Sequence, residues 1–264
     1  LTVEASTPAV APGTTYRFYV NMLDATDTFS AVYGNDVEPL TISSPAGVFN
    51  SAFNSSWSAS GINPAFIGFL PDLVDDTYAT IGLEGPAALS GLDGAADPSL
   101  VEDLSQPFTR FFFTNNGETN LEVNTVIGMS YYVLNTASNG LPVDDMRVLI
   151  MQITTAGSLS GIINFQVFPL GVGADAVYVS ANFSEGGVDV LGCMNSVACN
   201  YNPDSTVDDG SCEFVSCLAL GCMDMAACNY DADADFEDGS CEYAIPPYDC
   251  NGDCVEDTDG DGIC

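Results

Sequence analysis

All ten cysteines of this 264-residue chain lie between Cys193 and Cys264, and no other feature constrains its folding as strongly. Two segments 29 residues apart repeat the spacing C-x5-C-x12-C without a gap. The first contains Gly192-Cys193-Met194-Asn195, Ala198-Cys199-Asn200-Tyr201 and Asp208-Asp209-Gly210-Ser211-Cys212-Glu213. The second contains Gly221-Cys222-Met223-Asp224, Ala227-Cys228-Asn229-Tyr230 and Glu237-Asp238-Gly239-Ser240-Cys241-Glu242. Cys217 and Cys250 each follow one copy, and Cys254 with Cys264 closes the series. Units this short cannot bury enough apolar surface to hold a fold, so covalent staples of ~2–4 kcal/mol each take over. Thiolate ligation of zinc is the alternative, but it favours C-x2-4-C knuckles, and only Cys250-x3-Cys254 comes close. The ten are therefore read as disulfides made in an oxidising compartment. Pairs are expected within each four-cysteine unit, plus Cys254–Cys264, with the connectivity inside each unit left open.

Oxygen ligands crowd the same region. Of the 37 acidic residues, 20 precede position 193 and 17 follow it, whereas the three arginines (Arg17, Arg110 and Arg147) all precede it. Asp257-Thr258-Asp259-Gly260-Asp261-Gly262 matches the first six positions of a calcium loop, with glycine where the chain must turn sharply. The carboxylate expected at position twelve falls beyond Cys264, so the chain reads as a stretch of a longer polypeptide. In the second repeat Asp231, Asp233, Asp235 and Asp238 alternate along a loop and are candidate calcium ligands. In the first, Asp204, Asp208 and Asp209 are weaker candidates that suit a solvated turn equally well.

Residues 1–190 contain no cysteine and read as one all-β domain. Runs at 16–23, 28–33, 77–83, 108–113, 126–134, 146–155, 158–168 and 176–183 are rich in β-branched and aromatic residues, with Gly, Pro, Asn and Asp between them. A jelly-roll-like β-sandwich is the expected fold. Ala156-Gly157 predicts a tight hairpin between the runs at 146–155 and 158–168. No helical apolar period persists over three turns, and 63–73 is the best candidate for a short helix. Phe111-Phe112-Phe113 and Tyr131-Tyr132 read as core rather than as a sugar-stacking platform. Residues 1–10 alternate weakly, either as a strand of their own sheet or as one added to a neighbour.

Composition excludes much chemistry. With no histidine there is no imidazole base and no Ser-His-Asp or Cys-His pair. With no lysine there is no Schiff base, no phosphate-binding loop lysine and no lysine–asparagine crosslink. A formal net charge of −34 repels nucleic acid and anionic membranes, and no apolar run approaches the ~18 residues that a membrane helix needs. Carboxylate-pair catalysis stays formally open through Asp75, Asp76, Asp144 and Asp145, which read instead as solvating turns. The chain is not expected to be an enzyme.

The two cysteine units resemble the GCxDxxACNYxxxAxxDDGSC repeats of very large secreted proteins of marine Bacteroidetes. The ending Asp249-Cys250-Asn251-Gly252-Asp253-Cys254 with Asp257–Asp261 is similar to thrombospondin type-3 calcium repeats. Residues 16–168 resemble a domain of unknown activity that often precedes them. The resemblance implies a multi-module protein exported by type IX secretion, displayed at or shed from the cell surface, and used in adhesion, gliding or predation.

The division expected is a β-sandwich over 1–190, cysteine-rich repeats over 191–217 and 218–250, and the start of a calcium loop over 251–264. Calcium is the expected cofactor. Expected partners are copies of the chain or neighbouring modules, with surface polysaccharide as a further candidate. The expected role is a structural or adhesive module of an extracellular surface protein or filament; the alternative is a calcium-dependent glycan-binding module.

Overall fold

A computed structural model of the chain describes residues 1–113, 118–143, 145–184, 187, 188, 191–193, 195–202, 205, 207, 208, 210–214 and 216–255. The chain divides into two compact units, Leu1–Asp189 and Val190–Cys264.

The first unit carries strands β1 (Thr2–Ser6), β2 (Thr14–Asn21), β3 (Thr28–Gly34), β4 (Leu40–Ser43), β5 (Tyr78–Ala79), β6 (Ser99–Glu102), β7 (Asn120–Val123), β8 (Met129–Tyr132), β9 (Arg147–Thr155), β10 (Ser160–Phe168), β11 (Val177–Ser184) and β12 (Gly187–Val188). They form two antiparallel sheets. One has the order β1-β2-β9-β5; the other runs β12-β11-β10-β3-β8-β6, with β4 joining β10 to β7. Inward residues of both sheets share one core, including Phe18, Val20, Met151 and Ile153 from the first and Phe29, Val32, Ile163 and Phe165 from the second. Phe18 and Phe183 meet edge-to-face across it at 4.9 Å, a favoured aromatic geometry. The fold class is thus all-β, with a disulfide-rich C-terminal region of little regular structure.

Several local expectations are corrected. The segments 146–155 and 158–168 do not form a hairpin, because β9 and β10 belong to different sheets. Both edges of β9 are already taken, by β2 and β5. The short connection instead drops Leu159 into the core at 2% exposure and carries the chain over to pair with β4. Thr155 fixes the corner: its hydroxyl donates to the Gly47 carbonyl at 2.7 Å and accepts from Ser44 Oγ at 2.8 Å.

The run 108–113 is not a strand. Arg110–Phe113 is a single helical turn that buries Phe111 and Phe112. With Phe108, Trp57 and Tyr131 these rings form one aromatic cluster. Segment 63–73 forms two separate 3-10 turns, Pro64–Phe66 and Pro71–Leu73, rather than one helix. Pro71 has no N–H to continue a helix, and it keeps Leu70 out of the helical region at φ −127°, ψ 72°. Strand β5 is two residues long; beyond it the Thr80 and Gly82 amides still donate to the Ile150 and Leu149 carbonyls of β9, and the chain then turns at Gly82 with φ +66°. A side chain there would meet the Asn139 carbonyl at 2.1 Å. The leading segment pairs with its own sheet, β1 against β2 from Thr2↔Tyr19 to Ser6↔Thr15.

Candidate functional site

The cysteine region is built twice from the same interactions. Short parallel pairs set each copy: Leu191–Gly192 beside Val207–Asp208, and Leu220–Gly221 beside Phe236–Glu237. In the first copy Asn200 Nδ2 donates to the Ser211 carbonyl at 2.7 Å, and the Glu213 N–H donates to Asn200 Oδ1 at 2.8 Å. In the second, Asn229 makes the same two bonds with Ser240 and Glu242 at 2.7 and 2.8 Å. The Cys199 and Cys228 amides donate to Glu213 and Glu242, both at 2.7 Å.

These bonds give each residue of the motif a reason. Asparagine supplies a donor and an acceptor in one planar group. Ala198 and Ala227 are small and buried beside the second cysteine. Gly210 and Gly239 hold φ of +72° and +78°, a conformation that glycine alone adopts without strain. At Gly221 a side chain would press on Ala234 and Asp231 at 3.2 Å.

Disulfides close each copy on itself. Cys193 pairs with Cys212 and Cys199 with Cys217; Cys222 pairs with Cys241 and Cys228 with Cys250. The order is first to third and second to fourth in both units, which spacing alone left open. Cys254 is also disulfide-bonded, and Cys264 lies outside the described residues. No described cysteine is free. These bonds place the chain in a non-reducing compartment.

The candidate calcium ligands fall into two groups. Asp257, Asp259, Asp261, Asp204 and Asp209 lie outside the described residues, and of Asp208 only the backbone is described. The second repeat is described throughout. There Asp231 accepts the Asp233 N–H at 3.0 Å, Asp235 the Ala219 N–H at 3.3 Å, and Asp238 the Ser240 N–H at 2.8 Å. The Ser240 hydroxyl and amide hold Asp238 below the usual carboxylate range. Asp231 and Asp238 thus each steady a turn of their own, and Asp235 holds a residue 16 positions earlier in the chain. Among the described residues, the only group of three or more ligand-type side chains within 4.8 Å is Cys222, Glu237 and Cys241. Its two sulfurs are bonded to each other, which leaves one carboxylate and no thiolate.

In the first unit Asp75 and Asp76 are not turn-solvating, as the sequence suggests; each is 1% exposed. Asp75 accepts the backbone N–H groups of Ala9, Val10 and Ala11 at 2.6, 2.6 and 2.8 Å. Asp76 accepts from the Ser51 amide at 2.6 Å and Asn54 Nδ2 at 2.7 Å. Burial pushes Asp76 up to about 7, against the opposing pull of these donors. Neither pattern of spacing nor composition signals these two, because their partners come from distant segments. Asp145 is exposed and pairs with Arg147 at 2.6 Å, and Asp144 lies outside the described residues. All three arginines are ion-paired, Arg17 with Glu84, Arg110 with Glu118, and Arg147 with Glu4 and Asp145. No described helix is long and apolar enough to cross a membrane.

Compared with known protein families, with curated proteins and with solved structures, the chain finds no match.

Proposed function

We propose that the chain is a structural, adhesive module of a large extracellular surface protein or fibre. One observation carries this reading: two sequence copies 29 residues apart repeat the same hydrogen bonds and each closes with its own disulfides. Units that complete themselves and then repeat are the mark of a chain extended in one dimension, and crosslinks at this density limit how far it can stretch. The β-sandwich is the contact-making part, since it holds most of the large apolar side chains and every arginine.

Calcium belongs to this reading through Asp257, Asp259 and Asp261, on the strength of the D-x-D-x-D-G pattern. Binding there would add a further stiff element after the second repeat. Of the described carboxylates, Asp231, Asp235 and Asp238 each accept a backbone N–H, and together with Asp233 they gather no group of three within 4.8 Å.

Immuno-electron microscopy of the native cell surface with an antibody to the first unit tests the proposal. Regularly spaced label along filaments or a surface layer is the expected result; label confined to dispersed soluble protein would overturn it.

A further inference from the structure

The outer face of the smaller sheet carries a polar row. Arg17 on β2 stands opposite Gln152 on β9, and Gln152 stands opposite Tyr78 on β5. Such a row on an open sheet would face water. Here the excursion between β4 and β5 folds back over it, with a small apolar cluster of Ala59, Ile62, Leu73 and Tyr78. The cover is incomplete and leaves a cavity of about 270 Å³, bordered by Arg17, Tyr78, Gln152, Glu84, Ile62 and Ile67. A second cavity of about 410 Å³ shares Ile67 and Glu84 with the first and continues to Pro86, Leu89 and Ser90. The two adjoin at Ile67 and Glu84.

The polar groups of the cleft are fixed from behind. Gln152 Nε2 donates to the Val74 and Asp76 carbonyls at 2.8 and 2.9 Å, which sets the orientation of its amide. Arg17 reaches Glu84 through one Nη at 2.7 Å, and its Nε is buried without an acceptor. The Nε is closed to solvent, so a ligand meets the guanidinium through the rest of the group. Glu84 is 67% exposed along its side chain, so its remaining acceptor capacity is open to a ligand.

The chemistry selects the ligand class. The guanidinium is already engaged by Glu84 and the Tyr78 hydroxyl, on a protein with a formal net charge of −34. An anion is disfavoured there. A hydroxyl group donates and accepts through the same atom, so two neighbouring hydroxyls can lie alongside the Arg17–Glu84 pair, one accepting from the guanidinium and the other donating to the carboxylate, without parting the 2.7 Å contact. Adjacent hydroxyls on a ring supply that pair. Ile62 and Ile67 offer apolar walls to the C–H face of such a ring, and the turn that carries Ile67 also exposes Phe66 and Phe69, at 53% and 82%. Each cavity lies at or near the small end of the ~300–1,000 Å³ range of ligand sites, which suits one ring each rather than a bulky ligand.

We propose that this cleft binds a neutral oligosaccharide, with vicinal hydroxyls of one sugar ring held alongside the Arg17–Glu84 pair. The site is independent of calcium and of the filament reading.

The arginine content makes the test direct. With only three arginines in the chain, the Nε–H region of a ¹H–¹⁵N spectrum holds three signals. The Arg147 signal is set apart by the Tyr19 ring 4.4 Å from its guanidinium carbon, and Arg110→Gln identifies the second. The full chain is titrated with cellobiose, laminaribiose, maltose, lactose and mannobiose, each with calcium and with chelator, and separately with acetate and N-acetylalaninamide. The expected result is a saturable shift of the Arg17 signal with at least one disaccharide, the same with and without calcium, while Arg110 and Arg147 stay still. Arg17→Gln risks misfolding because the side chain is half-buried, so Glu84→Gln serves as the variant. It should weaken binding about tenfold, as expected for one hydrogen bond to a charged group, with the unfolding midpoint unchanged. No movement of the Arg17 signal with any disaccharide overturns the proposal. So does movement with acetate or the amide alone, or disaccharide binding that Glu84→Gln leaves intact.

Discussion

The Tyr131 hydroxyl donates to the Ile150 carbonyl at 2.8 Å, and this bond ties the two sheets together through the core. It exists because β9 bulges. The register against β2 steps from Phe18↔Met151 to Tyr19↔Leu149, which leaves Ile150 unopposed. Its carbonyl turns instead to the Thr80 N–H at 2.9 Å and to Tyr131, whose ring is wholly buried among Trp57 and Phe108.

Tyr131→Phe should therefore keep the shape of the core and lose one buried hydrogen bond, costing about 1–2 kcal/mol. Urea unfolding of the first unit's signal within the full chain measures this. A change below the error of the fit would mean the bulge carbonyl is satisfied by Thr80 alone.

Asp75→Ala should be far more damaging. It strips the acceptor from three backbone N–H groups at once, in a site that is 1% exposed, and should cost about 3–5 kcal/mol. The loss should begin locally: the link between β1 and β2, residues 7–13, should become the first site of proteolysis. Cleavage first in the second unit would count against this account of what anchors the N-terminal segment.

The pH response of Asp76 has a definite sign. Its folded value, pushed up to about 7 by burial, lies above the unfolded carboxylate range. Its contribution to stability is therefore fully present below about pH 4 and is lost as pH rises through 7. Repulsion among the other carboxylates acts in the same direction, so the difference between wild type and Asp76→Asn isolates the residue. Between pH 5 and 8 the stability of wild type relative to the variant should fall, approaching a slope of about 1.4 kcal/mol per pH unit at most. A flat difference would show that the Ser51 and Asn54 donors outweigh burial.

The disulfides should act one copy at a time. Replacing Cys222 and Cys241 by alanine removes a crosslink spanning 19 residues and should destabilise the second copy by ~2–4 kcal/mol. Hydrogen exchange should quicken at the Cys228 amide and spare the equivalent Cys199 amide. Equal loss in both would show that the copies fold as one body.

Calcium should slow exchange in the second unit of the full chain and leave the first unchanged, since a ligand stabilises only the element that binds it. Replacing Asp257, Asp259 and Asp261 together by asparagine should abolish the response. A response that survives this change would move the site to other carboxylates.

The sequence by itself determined whatever depends on near neighbours. The repeat spacing of the cysteines, the positive-φ positions Gly210 and Gly239, and the Asn200 and Asn229 bridges all act within about one unit, so the same residues recur wherever the same turn is made. The all-β class was equally legible, because β-branched and aromatic runs between turn residues specify strands without specifying their partners. Tertiary structure decided the partners. Ala156-Gly157 reads locally as a hairpin, yet β9 and β10 part company because β2 and β5 already occupy both edges of β9. Phe111 and Phe112 suit a strand, yet a helical turn delivers both rings to the aromatic cluster. Asp75 and Asp76 look like surface acids until chain segments 64–66 and 22–25 residues away bring them their donors. The Arg17–Gln152–Tyr78 row draws on three strands and is roofed by a fourth segment. Pairings over such distances depend on which edges and donors remain unclaimed after the rest of the chain has folded, and no local pattern encodes that.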